Sequence, residues 1–152
     1  MRTSPEPCPF TPPPSELLRG PLYYVCVMVV ATLVWWRASP VGLLVIGAMC
    51  GGDGLADVVG RRMGRSNPLP FNAAKSWAGS CAMLLGSAAF SAALLAVYKA
   101  AGALSFDWAD VALPVGLVCL AATAVEASPW STVLDDNLSV PLAAAALSMA
   151  ML

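Results

Sequence analysis

A chain of 152 residues that is 59% hydrophobic and only 11% charged is not a soluble domain, in which charged residues approach about a quarter. Its length leaves room for about four to six spans of roughly 20 residues, so any active site must be built from helix ends and short loops. A net charge of −1 speaks against a nucleic-acid partner, and the absence of histidine removes the usual general base and the commonest zinc ligand, leaving carboxylates as proton acceptors.

Residues 1–21 carry prolines at 5, 7, 9, 12, 13, 14 and 21 and are expected to form a disordered tail ahead of a membrane domain over 22–152. Glu6 and Glu16 make that tail a weak match to an acid-poor transit peptide. Hydropathy predicts a first span over 22–36, closed by Trp35, Trp36 and Arg37 as an interfacial anchor, and a second from 41 into an acidic segment. The apolar run 76–98 lies between Lys75 and Lys99, a shorter fourth span over 111–125 reaches Glu126, and a fifth runs from 138 to the terminus. The fold class is therefore all-α, a polytopic membrane bundle of about five helices with short loops. Small residues such as Ala78-Gly79-Ser80 and Gly86-Ser87-Ala88-Ala89 permit close helix contacts. The cysteines at 8, 26, 50, 81 and 119 form no Cys-x-x-Cys pair and read as small core residues.

Counting connections puts the tail, the loop at 53–75 and the loop at 126–137 on one face. That face holds Arg2, Arg19, Arg61, Arg62, Arg65 and Lys75, against Arg37 and Lys99 on the other, which orients it toward the cytosol or its organellar equivalent.

Two polar segments stand out on that face. In Gly51-Gly52-Asp53-Gly54-Leu55-Ala56-Asp57-Val58-Val59-Gly60-Arg61-Arg62, a helix would place Asp53, Asp57 and Arg61 on one side, as two hard oxygen ligands for Mg²⁺ and a guanidinium for a phosphate. A plain i, i+4 salt-bridge cluster is the structural alternative. The glycines at 51, 52, 54, 60 and 64 leave backbone open to a ligand or to a neighbouring helix. A Walker-type loop is excluded, because Lys75-Ser76 follows Ala73-Ala74 rather than glycine. The second segment supplies Glu126, Asp135, Asp136 and Asn137; capping of the last helix accounts for one of its three acids only.

Taken together, Gly52-Asp53-Gly54-x-Ala56-Asp57-x-x-Gly60-Arg61-Arg62, Leu69-Pro70-Phe71-Asn72-x-x-Lys75-Ser76-Trp77-Ala78-Gly79-Ser80, Glu126-x-x-Pro129 and Asp135-Asp136-Asn137-x-x-Val140-Pro141-Leu142 resemble the phytol and farnesol kinase family, itself similar to dolichol kinases and more distantly to membrane CDP-diacylglycerol synthases. The resemblance covers roughly 43–152. It implies a kinase that phosphorylates an isoprenoid alcohol, phytol above all, with CTP as donor and Mg²⁺ as cofactor, in a chloroplast membrane and in the service of tocopherol synthesis. It assigns Mg²⁺ to Asp53 and Asp57, phosphates to Arg61, Arg62 and Lys75, and a second metal contact or the base to Glu126, Asp135, Asp136 and Asn137. Asp136 is the third metal candidate, and Gly52, Gly54 and Ser76 join the nucleotide-binding set. The implied partners are the alcohol, the nucleotide, the bilayer and, as an option, a second copy of the chain. The family's amino-terminal half usually includes further spans and a histidine-bearing basic segment, so the chain is expected to be N-terminally short and weakly active alone.

Three other readings compete. A CTP-dependent cytidylyltransferase would use the same metal–triphosphate site but attack the α-phosphate. An ion-binding transporter subunit would want acids at mid-membrane rather than at span ends. A non-catalytic membrane fragment would serve only in assembly.

Overall fold

The computed structural model describes residues 14–35, 38–129 and 136–152. The expectations for residues 1–13, for Trp36 and Arg37, and for Asp135 lie outside the described residues. Within them the chain forms helix α1 (Pro14–Trp35), α2 (Val41–Ile46), a π-helical segment (Gly47–Asp53) that runs on into α3 (Gly54–Met63), then α4 (Trp77–Ala100), α5 (Trp108–Ala127) and α6 (Asp136–Met151). Because α2, the π segment and α3 form one continuous rod, these make five helical rods, and the all-α membrane bundle is the fold.

Three rods are long and apolar enough to cross a bilayer: Val41–Ser66, Trp77–Ala100 and Trp108–Ala127. The other two are shorter. Gly20–Trp35 is the apolar part of α1, and α6, at 16 residues, rises about 24 Å, somewhat less than a hydrocarbon core. Helix α1 begins at Pro14, inside the stretch expected as tail. The physical reason is that proline is at home in the first turn of a helix, where its missing N–H would be unpaired anyway. Pro21 is carried inside the helix, as membrane helices tolerate.

The rods are held together where small residues face each other. Gly47, Gly51 and Gly52 of the π segment lie against Met83, Gly86, Ser87, Phe90 and Ser91 of α4, positions that recur every three to four residues and so share one helical face. A Cβ on Gly51 would come within 2.6 Å of the Gly86 carbonyl oxygen, and one on Gly86 would collide with the Gly51 carbonyl. Only glycine at both positions allows the two backbones to meet this closely. Around this contact Leu44, Val45, Met83, Leu95, Val118, Cys119, Val140 and Ala144 form the buried core. Cys119 thus sits in the core as expected, whereas Cys26 and Cys81 are exposed on the outer surface. Apolar exposure there is what a lipid-facing helix requires.

At one end of the bundle Lys99 Nζ donates to the Phe106 carbonyl at 2.7 Å and lies 5.0 Å from the Phe106 ring centroid, fastening the 101–107 turn. The link from α3 to α4 at the other end is more ordered than a plain loop. A 3₁₀ turn (Gly64–Ser66) leads into strands β1 (Pro68–Leu69) and β2 (Asn72–Ser76), which pair antiparallel with Leu69 opposite Asn72. Leu69 and Asn72 are both buried, so this small hairpin is anchored rather than draped over the helices.

Candidate active site

At the hairpin end, α3, β2, the start of α4, the end of α5 and the start of α6 surround a cleft of about 750 Å³. Each wall follows from local sequence. Asp53 at the end of the π segment, Ala56, Asp57, Gly60 and Arg61 of α3, and Gly64 at the start of the 3₁₀ turn all come onto the cleft, the face that helical spacing predicts. Gly60 and Gly79 face each other where α3 and α4 pack, a Cβ on Gly79 standing at contact distance, 3.4 Å from the Ala56 carbonyl oxygen and 3.6 Å from the Gly60 Cα. Ser76 caps α4, its Oγ accepting a hydrogen bond from Gly79 N at 3.1 Å. The amino-terminal end of α4, with the partial positive charge of its free N–H groups, therefore borders the cleft.

Lys75 ties the two halves of the site together. Its Nζ donates at 2.6 Å to Glu126 Oε1 at the end of α5 and at 2.6 Å to Asp136 Oδ2 at the start of α6. Burial alone would lower the Lys75 ammonium, but its hydrogen bonds to Asp136 and Glu126, reinforced by their charges, hold it above the usual lysine range. One cation shared by two acids leaves each acid partly unsatisfied: among the described residues, Glu126 Oε2 and Asp136 Oδ1 are buried without a hydrogen-bond partner. Native proteins rarely leave such oxygens idle, which marks them as places for a ligand's proton or a cation.

What positions Lys75 is Asn72, three residues earlier on β2. Its Nδ2 donates to the carbonyls of Ala127 at 3.2 Å and Ser128 at 3.1 Å, while its Oδ1 accepts from Ala74 N at 3.2 Å. The hairpin is thereby pinned to the carboxyl-terminal end of α5, beside Glu126.

Asp53, Gly54, Asp57, Arg61, Lys75, Ser76, Glu126, Asp136 and Asn137 all line this one cleft, so the two polar segments of the sequence do converge. Gly52 and Arg62 do not line it. Gly52 is spent on packing, where a Cβ would stand 3.1 Å from the Ser87 Cβ, and Arg62 is about 100° round the helix from Arg61 and exposed. The salt-bridge alternative holds for part of the stripe: Arg61 Nε donates to Asp57 Oδ1 at 2.6 Å, an exposed i, i+4 pair worth only a few tenths of a kcal/mol. Among the described residues Asp53 makes no such pair. Among the described residues no three acidic or cysteine side chains stand close enough to form a ready-made metal cage. Mg²⁺ rarely needs one, because it is commonly held by one or two carboxylates together with the phosphates it accompanies.

Arg65, Gly79 and Ser80 also line the cleft, and Asn72 braces it, beyond the residues to which the sequence assigns a role. Arg65 lines the cleft, and its signal was available: it follows Arg61 by four, so the stripe that holds Asp57 and Arg61 reaches it and misses Arg62. Asn72 gave no signal beyond its place in a motif, since its bonds reach 55 and 56 residues along the chain.

No family model and no solved structure matches the chain. Curated relatives do. The chain is 53% identical over 131 residues, 86% of its length, to a rice (Oryza sativa subsp. japonica) protein named probable phytol kinase 1, chloroplastic. It is 50% identical over 130 residues to the probable phytol kinase, chloroplastic, of Zea mays, and 45% identical over 128 residues to phytol kinase 1, chloroplastic, of Arabidopsis thaliana. These alignments take in 41%, 43% and 42% of the respective relatives, so the chain spans less than half of their length. Over the segment that aligns, the chain is similar to these phytol kinases, as its motifs indicated.

Proposed function

We propose that the chain forms the phosphoryl-transfer site of a chloroplast-membrane kinase that moves the γ-phosphate of CTP to the hydroxyl of an isoprenoid alcohol, phytol above all, at the membrane surface. The observation that carries this reading is the single cleft that gathers Asp53, Asp57, Arg61, Lys75, Glu126 and Asp136 at one end of an apolar bundle. The names of the relatives support the acceptor and the organelle.

Phosphoryl transfer asks a protein mainly to position its reactants and neutralise charge, and the cleft is furnished for both. Arg61, Arg65 and the amino-terminal end of α4 face it as phosphate-holding groups, and Lys75 supplies a fixed positive charge held in place by its two acids. Asp53 and Asp57 are the carboxylates for a Mg²⁺ carried in with the nucleotide, and they suit that ion in being oxygen ligands open to the cleft. Once bound, the ion would offset the charge of the triphosphate oxygens. Asp136 Oδ1, buried and without a partner among the described residues, accepts the alcohol proton. The alcohol oxygen forms its bond to the γ-phosphorus as the bond to the bridging oxygen breaks, and CDP leaves.

The test is a matrix of substrates. Protein in lipid nanodiscs is given phytol, farnesol or geranylgeraniol with each of CTP, UTP and ATP, and products are identified by mass. The reading expects phytyl phosphate with CTP and a loss of turnover by orders of magnitude on Asp53→Asn. A nucleotidylated lipid with pyrophosphate would instead assign the site to the cytidylyltransferase class.

A further inference from the structure

A second, smaller depression of about 250 Å³ lies between α1, α2 and α6, and every side chain that lines it is apolar. Val27, Ala31 and Trp35 form one wall, Val45 the floor, and Pro141 and Leu142 the other wall. Its relation to the polar cleft is set by α6. Asp136 and Asn137 in the first turn of that helix line the cleft, and Leu138 is the first residue of the apolar groove. Asn137, Pro141 and Ala145 then follow at i, i+4 and i+8, so one face of α6 passes from the polar cleft into the groove within a single turn. One turn is about 5.4 Å, well within the reach of a single amphiphile.

We infer that this groove holds the hydrocarbon chain of the isoprenoid alcohol, with the hydroxyl at Asp136 and Asn137 and the chain lying down the Asn137–Pro141–Ala145 face between α1 and α6. The inference rests on the proposed kinase reading for the identity of the ligand, and adds to it the side from which the acceptor reaches the site. The two depressions match the two ends of such a molecule. One is lined by charges and helix termini, the other by apolar surface, and the end that must react is the end placed beside an Asp136 oxygen that has no partner among the described residues. A bilayer lipid acyl chain shares the apolar part of this chemistry but brings no hydroxyl to Asp136.

The experiment is photolabelling of the whole chain in phosphatidylcholine nanodiscs with a C20 isoprenoid alcohol that carries a diazirine on its distal half, with the labelled residues located by peptide mass. Labels are expected on α1 and α6 at the groove, competed by excess phytol but not by added phosphatidylcholine. Leu142→Trp, at a side chain already 59% exposed and so tolerant of bulk, and Ala145→Phe should each cut groove labelling on the order of ten-fold, while Leu85→Trp on the outer face of α4 should not. Labels spread over outward residues such as Leu85 and Leu113, or groove labelling unchanged in both groove variants, would overturn the inference. The assignment is separable from the chemistry. Competed labelling in the groove without phosphate transfer in the substrate matrix sinks the kinase reading and keeps the groove. Transfer accompanied by labelling elsewhere sinks the groove alone.

Discussion

Replacing Lys75 with methionine keeps the bulk of the side chain and removes the one cation that Glu126 and Asp136 share. The Lys75 side chain is 22% exposed and that of Glu126 only 6%, so the pair is largely out of water and its loss is not damped as at a surface. Breaking a buried pair from one side costs about 3–5 kcal/mol, chiefly because the remaining charge is stranded, and the partial exposure here favours the lower figure, about 3 kcal/mol. For a chain of this size that corresponds to a fall in melting temperature of about 6–12 °C. Scanning fluorimetry in detergent reads it directly. Adding Glu126→Gln and Asp136→Asn to Lys75→Met removes the stranded charges and should restore most of the loss. The sign with pH also follows. Lys75 is raised above its ordinary value of 10.5, so its contribution is fully present below that value and disappears as pH rises through the elevated one. The difference in stability between the parent and Lys75→Met should therefore be constant from neutral pH upward and shrink only above about 10.5. A Lys75→Met protein that melts within about 2 °C of the parent, or a triple variant less stable than the single one, would refute the claim that Lys75 is the clasp of the site.

Gly51→Ala drives a Cβ to 2.6 Å from the Gly86 carbonyl oxygen and should destabilise the bundle by about 1–3 kcal/mol, whereas Gly54→Ala, which meets nothing within 4 Å, should leave the melting temperature unchanged or higher; paired melts compare the two. Asn72→Ala removes the two hydrogen bonds that pin the hairpin to the end of α5 and a third that braces β2 itself, so it should raise the KM for nucleotide more than it lowers stability, a split that steady-state kinetics beside fluorimetry will show. Arg65→Ala should weaken nucleotide binding while Arg62→Ala should not, since only Arg65 lines the cleft; titration calorimetry with CTP and Mg²⁺ distinguishes them. In a cysteine-free background, cysteines placed at Ser66 and Pro129 should react with an impermeant reagent from the same side of the membrane and one at Ala103 from the other, as the alternation of the helices requires.

The helices could be read from the chain because a membrane span is a local property: about 20 apolar residues between charges declare themselves whatever they pack against. The acidic stripe was legible for a similar reason, since the spacing of Asp53, Asp57 and Arg61 carries over to any regular helix. Less visible was everything decided by a distant partner. The acids at 126 and 136 belong with Lys75 only because the hairpin is pinned by Asn72 to the end of α5, and no local pattern announces a bond across 55 residues. Gly52 read as a nucleotide contact because a glycine beside an acid suits a ligand as well as a neighbouring helix, and the choice fell to the small face of α4. Helix α1 starts earlier than its prolines suggest, because proline breaks a helix interior but is tolerated in the first turn.

In the proposed function one cleft, walled by α3, the hairpin and the ends of α4, α5 and α6, transfers a terminal phosphate to a lipid alcohol. The most direct measurement follows the label from CTP marked at its γ-phosphate, with phytol and Mg²⁺, in nanodiscs. The account predicts label on phytol, release of CDP, and loss of both on Asp53→Asn or Lys75→Met in protein that remains folded. Label in free pyrophosphate, or transfer to phytol that survives both substitutions, would contradict it.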